Sequence, residues 1–312
     1  MNKLLSRRAW LTATSAAAAA NLIPTAQANV AEKRRPLLGF SLYGMKSLSL
    51  ADALAQCAAI GYRCVELPVL ADWPADSAKF SAAAQKEFRE SLAKHGLRLS
   101  ALMENLPGRR DDSGPNETPR LKAAAEIARS IHEKNPPLVE TILGGRPDEW
   151  EHLKQQFVDR LGNWSRIMAD TKVKLAIKAH VSNAIQTPTQ LQWLLDQVNS
   201  PWVTAAYDFS HFELQKLEMP GTIKPLAERM SFVHVKDTRG EAGKFQFLLP
   251  GEGTTDYQQL FALLARVEYT GDIVVEVSGQ IHSKPGYDGV AAAKKCFAAL
   301  SPAMKQFGGE ER

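Results

Sequence analysis

This 312-residue chain has little cysteine and no marked excess of either charge. Its three cysteines, Cys57, Cys64 and Cys296, are odd in number and widely spaced, with no C-x-x-C pair. That argues against a disulfide framework and makes buried apolar packing the default for each thiol, with a Cys57–Cys64 bridge still open. No Gly-x-Gly-x-x-Gly follows the first strand-like segment, which counts against a dinucleotide-binding doubly wound sheet. No apolar run reaches the roughly 20 residues that a membrane span needs, so stable membrane insertion is not expected. Aromatic residues make up 8%, and no basic patch interleaved with them marks a nucleic-acid surface. What is present is 45% hydrophobic and 23% charged residues, enough for a sizeable core and too apolar for disorder.

The small basic excess is concentrated at one end. Lys plus Arg number 38 against 34 Asp plus Glu, a formal net charge of +4. Residues 1–28 hold Lys3, Arg7 and Arg8 and no acid; without them the count is 35 against 34, or +1. A basic start, an Ala-rich apolar middle and a small-x-small end at Ala26-Gln27-Ala28 make a signal peptide. Arg7-Arg8, after Ser6 and before Trp10-Leu11, resembles the twin-arginine export signal. That implies the twin-arginine machinery as a partner and a periplasmic or otherwise exported destination. A membrane anchor is disfavoured, because the apolar run is short and mostly Ala. Residues 29–36, with Lys33-Arg34-Arg35, read as a linker. The nearly neutral remainder gives no case for a nucleic-acid partner.

From residue 37 onward, strands and amphipathic helices alternate eight times. Strands are expected near 37–42, 63–67, 97–103, 137–143, 173–180, 202–208, 231–236 and 272–277. Helices between them carry start and stop signals: Ser49 with Gly61, a stretch over 77–95 stopped by Gly96, Thr118-Pro119, Thr187-Pro188 and Asp256. Segments 104–116 and 237–255 read as loops. The last helix is expected over about 290–305, with 306–312 as a tail. Eight Val/Ile/Leu-rich strands, each followed by a helix, indicate an α/β fold: one (β/α)8 TIM barrel over 37–305.

Such barrels carry their sites at the C-terminal ends of the strands. There, charged groups interrupt buried runs: Lys178 and His180 on strand five, Asp208 on strand six with His211 after it, His234 and Lys236 on strand seven, Glu276 on strand eight. Buried charges need partners. Singly, each residue has a plain structural explanation. Asp208 could cap a helix, His234 could be a satisfied core histidine, and Glu276 could pair with Lys178 or Lys236. Together, at corresponding depths on neighbouring strands, they read as a site, and an Asp, a His and a Glu can converge on one divalent cation.

Asp208-Phe-Ser-His211, Phe232-Val-His234-Val-Lys-Asp237, Gly251-Glu-Gly253 before Asp256, and Val275-Glu276 resemble the xylose-isomerase-like TIM barrels. That sugar phosphate isomerase/epimerase superfamily includes inosose dehydratase and endonuclease-IV-type enzymes. The resemblance covers about 37–303. It implies that Asp208, His234 and Glu276 ligate one divalent metal ion (Mn, Mg, Co or Zn), that Glu276 also moves protons, and that His211 is a substrate contact or extra ligand.

One position departs from the pattern. Where strand five of the epimerases supplies a ligating glutamate two residues before a histidine, this chain has Lys178, then His180. Lys178 could be a counter-ion for Glu276 or Asp208, a group that binds or protonates a sugar oxygen, or a neutral general base. His180, or Glu140 in strand four, could supply the missing ligand or base; Glu140 could equally form a surface pair. Lys236 at the strand end, with Arg239 and Lys244 further along, could hold polyol oxygens or an anionic group from the loop after strand seven, though a solvated charged loop accounts equally well for Arg239 and Lys244. Trp73, Trp150, Trp164 and Trp202 could stack on a sugar, though packing is the commoner role of any one.

The sequence therefore reads as an exported, metal-dependent isomerase or epimerase that takes a small carbohydrate through an enediolate. A keto-glycoside lyase or dehydratase on the same scaffold is the first alternative. An endonuclease-IV-like nuclease and a non-catalytic sugar-binding protein follow. Oligomerisation stays open. Expression of the full chain with export intact is expected to give a mature N-terminus at Asn29, read by intact mass; an unprocessed cytosolic chain would exclude the leader.

Overall fold

A computed structural model describes residues 34–106 and 117–308. The expected signal peptide at 1–28, most of the linker and residues 309–312 lie outside the described residues. In chain order the elements are β1 (Leu38–Ser41), α1 (Leu50–Ile60), β2 (Cys64–Pro68), α2 (Ala82–His95), β3 (Arg98–Met103), α3 (Glu117–Ile131) and β4 (Leu138–Thr141). Then come α4 (Trp150–Thr171), β5 (Leu175–Lys178), α5 (Pro188–Val198), β6 (Val203–Asp208), α6 (Phe209–Glu213), α7 (Met219–Ile223) and β7 (Met230–Val235). The chain ends with β8 (Asp237–Glu241), β9 (Lys244–Leu248), α8 (Tyr257–Arg266), β10 (Ile273–Val275), α9 (Gly279–His282) and α10 (Gly289–Gly308). Eight parallel strands close a barrel in the order β1-β10-β7-β6-β5-β4-β3-β2. The TIM barrel read from the alternation is thus the fold.

Local chemistry sets the boundaries. Ser49 Oγ accepts from Asp52 N–H at 3.1 Å to start α1, and Gly61 ends it in the left-handed region at φ 115°. Ser81, four residues after the expected start, caps α2, because 77–80 form a turn held by Asp76. Thr187 and Gln190 make a reciprocal capping box at α5. The last helix runs past Lys305 to Gly308. All three cysteines are free and buried, so the Cys57–Cys64 bridge is not formed. No helix among the described residues is long and apolar enough to cross a membrane.

The expected loop 237–255 holds a β8–β9 hairpin instead. Asp237 anchors it: its carboxylate accepts from Gly251 N–H at 2.9 Å, Gly253 N–H at 2.7 Å and Tyr257 OH at 2.6 Å. A Cβ on Gly253 would lie 2.8 Å from the Asp237 side chain, which explains the glycine.

Strand alternation separates two cores. Phe40, Val65, Ile177, Tyr207, Val233 and Val275 belong to the large core shared with the helices. Cys64, Ala101, Ala176, Ala206, Phe232 and Val274 form a separate, mostly small-residue cluster. Two residues further along five of these strands, on the same face, stand Glu66, Lys178, Asp208, His234 and Glu276. The polar layer therefore rests on an apolar plug.

At the opposite end, Asp272 ties the barrel floor together. Its side chain is buried and accepts from Ser100 Oγ at 2.6 Å and Leu37 N–H at 3.1 Å, and it pairs with Arg34 at 2.9 Å and with Arg98. Asp272→Ala leaves a part-buried hydroxyl and amide unmet, unpairs Arg98 and Arg34, and is expected to cost roughly 3 kcal/mol. Urea midpoints compared with wild type measure this.

Candidate active site at the barrel mouth

Asp208 ends β6 and caps α6: its Oδ1 accepts from Ser210 N–H at 3.2 Å and Ser210 Oγ at 2.6 Å. Its Oδ2 faces the Lys236 ammonium and lies 3.4 Å from His211 Nε2. Lys236 Nζ also lies 2.7 Å from Glu276 Oε2. Lys178, at the end of β5, places Nζ 3.1 Å from each of Glu140 Oε1, Glu276 Oε2 and His234 Nδ1. His234 Nε2 is 3.0 Å from Glu66 Oε2, and its Nδ1 is 3.3 Å from Glu276 Oε2. Glu276 Oε2 thus meets two ammonium groups and an imidazole.

A cavity of about 150 Å³ opens above this cluster, lined among others by Lys178, Lys236, Glu276, His180, His211 and Tyr43. The Glu276 side chain is 13% exposed, whereas those of Asp208, His234, Glu66 and Glu140 are 1% or less. Glu276 is the carboxylate a ligand would meet; the others stand behind it.

Charge states follow from these contacts. Burial raises the Asp208 carboxyl, but Lys236, His211 and Lys178 outweigh it and hold it well below the usual range. Glu276 is held low in the same way by Lys178, Lys236 and His234 against burial. Burial disfavours the Lys178 ammonium, yet Glu140, Glu276 and Asp208 push its pKa up. Lys178 is therefore a cation here, not the neutral base that the sequence left open. His180 lies well below its ordinary value through burial and the neighbouring His211, Lys178 and Lys236. His211 is lowered to about 4, by burial first and then Lys236. The two neutral imidazoles face each other with ring centroids 4.1 Å apart.

Comparison with known proteins gives the family of this barrel. Residues 54–299 match the family described as the xylose isomerase-like TIM barrel. The chain belongs to that family. An inosose dehydratase of Geobacillus kaustophilus (strain HTA426) is 26% identical over 168 residues, 48% of this chain and 53% of that protein. The match spans about half the length of that relative. Among solved structures, the zinc-bound IOLI protein superposes with TM-score 0.74 at 19% identity, covering 88% of this chain and 99% of that one. An L-ribulose 3-epimerase superposes with TM-score 0.67 at 18% identity, covering 87% and 95%. These two likenesses show the fold.

Family membership raises the question of a metal. By position, two groups could hold one: Asp208, His234 and Glu276, as the sequence suggested, and Glu66, Glu140 and His234; within each, the ligand atoms lie within 4.8 Å of one another. By charge, neither fits as it stands. Lys236 bridges Asp208 and Glu276, while Lys178 bridges Glu276, His234 and Glu140. A divalent ion about 4 Å from one ammonium is repelled by about 8 kcal/mol at an effective dielectric of about 20. Lys178 and Lys236 hold the donors of the first group, and Lys178 holds two of the three in the second, where Glu66 meets His234.

Eight of the nine expected site residues converge: Asp208, His234, Glu276, Lys178, Lys236, His180, His211 and Glu140. Arg239 does not; it lies exposed on β8 opposite Gln246, because the hairpin carries it out of the mouth. Lys244 is exposed on the same hairpin. Glu140 joins the cluster but lines no part of the cavity, and it is buried rather than in a surface pair. Of the four tryptophans, only Trp73 approaches the mouth, stacked on Tyr43 with centroids 4.7 Å apart. Trp150 packs on Trp193, Trp164 is buried against Thr118, and Trp202 lines a cavity at the barrel floor. Sequence reasoning missed Glu66. Its signal was the same as for the others, a charge inside the apolar run Cys64-Val-Glu-Leu-Pro.

The lowered histidines make stability pH-dependent. The unfolded chain binds a proton at His211 near pH 6.5 and the folded chain only near 4. Stability is therefore full above about 6.5 and falls as pH drops, by about 3 kcal/mol at pH 4 for this group. His180 adds in the same direction. Urea midpoints between pH 7.5 and 5 should fall, and His211→Gln should flatten the slope; an unchanged slope would contradict the assignment.

Proposed function

We propose that this protein is an enzyme acting on a small sugar or cyclic polyol in its keto form, and that it removes a proton from the carbon beside the carbonyl. The observation that carries this reading is the setting of Glu276. It is the ionised, part-exposed carboxylate of the cluster, and the two ammonium groups on its Oε2 line the same cavity.

Before substrate binds, those ammonium groups make Glu276 a weak base. A substrate carbonyl oxygen that accepts from Lys178 or Lys236 draws the ammonium away and restores its basicity. The proton leaves carbon for Glu276, and the electron pair moves to the carbonyl oxygen. The resulting enediolate oxyanion lies against positive charge fixed in advance, in a pocket of low dielectric. His180 and His211, neutral at the cavity wall, hydrogen-bond the remaining hydroxyls. Return of the proton to the other face or the neighbouring carbon gives epimerisation or isomerisation. Expulsion of a β-oxygen, protonated as it leaves, gives dehydration or lyase cleavage.

The L-ribulose 3-epimerase likeness accords with the first outcome, and the inosose dehydratase relative favours the second. With the export leader expected at 1–28, the substrate would be met outside the cytoplasm, where a keto-glycoside suits the lyase outcome. The nuclease alternative needs an exposed basic groove at the site, and Lys178 and Lys236 are instead sunk among carboxylates.

Incubation of the protein with keto-sugars and inososes in deuterium oxide tests the reading by NMR. Wild type should exchange the proton beside the carbonyl, and Glu276→Gln should slow this by roughly 10²–10⁴-fold. Arg239→Ala should change nothing. Absence of exchange and turnover with every keto substrate, with or without added divalent metal, would overturn the proposal.

A further inference from the structure

Lys178 occupies an unusual centre. Its ammonium stands 3.1 Å from three groups: His234 Nδ1 from β7 and Glu276 Oε2 from β10, both within hydrogen-bond geometry, and Glu140 Oε1 from β4, as an ion pair. The side chain is 4% exposed, and its open side is the cavity. The other ring nitrogen, Nε2, lies 3.0 Å from Glu66 Oε2. Both ring nitrogens of His234 are then engaged. The other edge of the donor set, Asp208 with Glu276, is closed by Lys236. One cation surrounded by inward-facing donors from three separate strands is the arrangement a metal ion would have, at hydrogen-bond distances rather than the roughly 2.0–2.2 Å of metal bonds.

We propose that the Lys178 ammonium is the resident cation of this site, so that the protein works without a divalent metal and presents lysine charge, rather than a metal ion, to the substrate oxygen. The catalytic half of this inference rests on the reading given under Proposed function; the metal-content half stands alone. The surrounding acids support it. Glu66 Oε1 and Glu140 Oε2 are buried without a hydrogen-bond partner, and Glu140 Oε1 meets only the Lys178 ammonium, as an ion pair, so the pocket already carries all the carboxylate that its two lysines can serve. Replacing Lys178 by a carboxylate would remove one of those two cations, add a further anion and leave a pocket that a divalent ion could fill. The mouth would then become a metal site by a single change.

The test is metal uptake by the full chain. Wild-type protein is stripped with EDTA, dialysed against Mn²⁺, Zn²⁺, Co²⁺ or Mg²⁺, and measured by elemental analysis and thermal melting. The expected result is well under one equivalent bound and no rise in melting temperature. Lys178→Glu should take up one equivalent and melt several degrees higher with the metal than without, because a ligand that binds only the folded state stabilises it. Uptake of one equivalent by wild type, lost in Asp208→Asn and His234→Gln, would overturn the proposal. The wild-type measurement decides the matter even where Lys178→Glu does not fold. Where an active keto substrate is found, EDTA should leave wild-type turnover unchanged, and loss of turnover restored by added metal would equally overturn it. Where no substrate is turned over, the proposed reaction fails, and metal content still decides this inference.

Discussion

The mouth of this barrel is organised by one constraint: two ammonium groups and four carboxylates are held together away from water. Each ion taken from solvent costs several kcal/mol, which only close partners offset. Lys178 and Lys236 supply those partners, and Glu276 Oε2 is where both meet. The rest of the site follows. The same positive charges contribute to keeping His180 and His211 neutral, so the cavity wall is polar without being charged on that side. The carboxylates deepest in the cluster are shielded, and the one that reaches the cavity is the one best placed to take a proton.

That layer can exist because the layer beneath it is apolar and mostly small. Ala101, Ala176 and Ala206 with Cys64 fill the barrel centre, and Gly39 leaves room for the Cys64 sulfur, since a Cβ there would lie 2.5 Å from Sγ. Larger residues would push the charged layer outward into solvent, where its pairs would weaken. Function and stability are also divided along the barrel axis. Asp272 gathers β1, β3 and β10 at the floor, far from the chemistry, while Asp237 pins the hairpin and the turn after it beside the mouth.

Dehydration, epimerisation and keto-glycoside cleavage share one early event, loss of a proton beside a carbonyl, and differ in what leaves afterwards. A site with one accessible carboxylate, two fixed cations and two neutral imidazoles supplies what the shared event needs. Family membership sets the scaffold and leaves the later steps to the residues around the cavity.

The alternation of apolar strands with capped helices was legible from residue order, because caps, glycine stops and apolar periodicity are local. The interruption of strands by Asp208, His234 and Glu276 was legible for the same reason. Partnership was not. Glu66 and His234 sit on strands separated in the barrel by β1 and β10, and they meet only because closure turns both inward at one height. Arg239 was a candidate beside Lys236, which stands nearer the strand end, and the β8–β9 pairing sends Arg239 outward. Lys178 was visible as a departure, with three roles open. The three groups that converge on its ammonium could not be read from residue order, because they come from β4, β7 and β10. The chain alone determined which residues carry charge into the core; barrel closure decided which charges face one another, since separation in space, not in sequence, sets their energy.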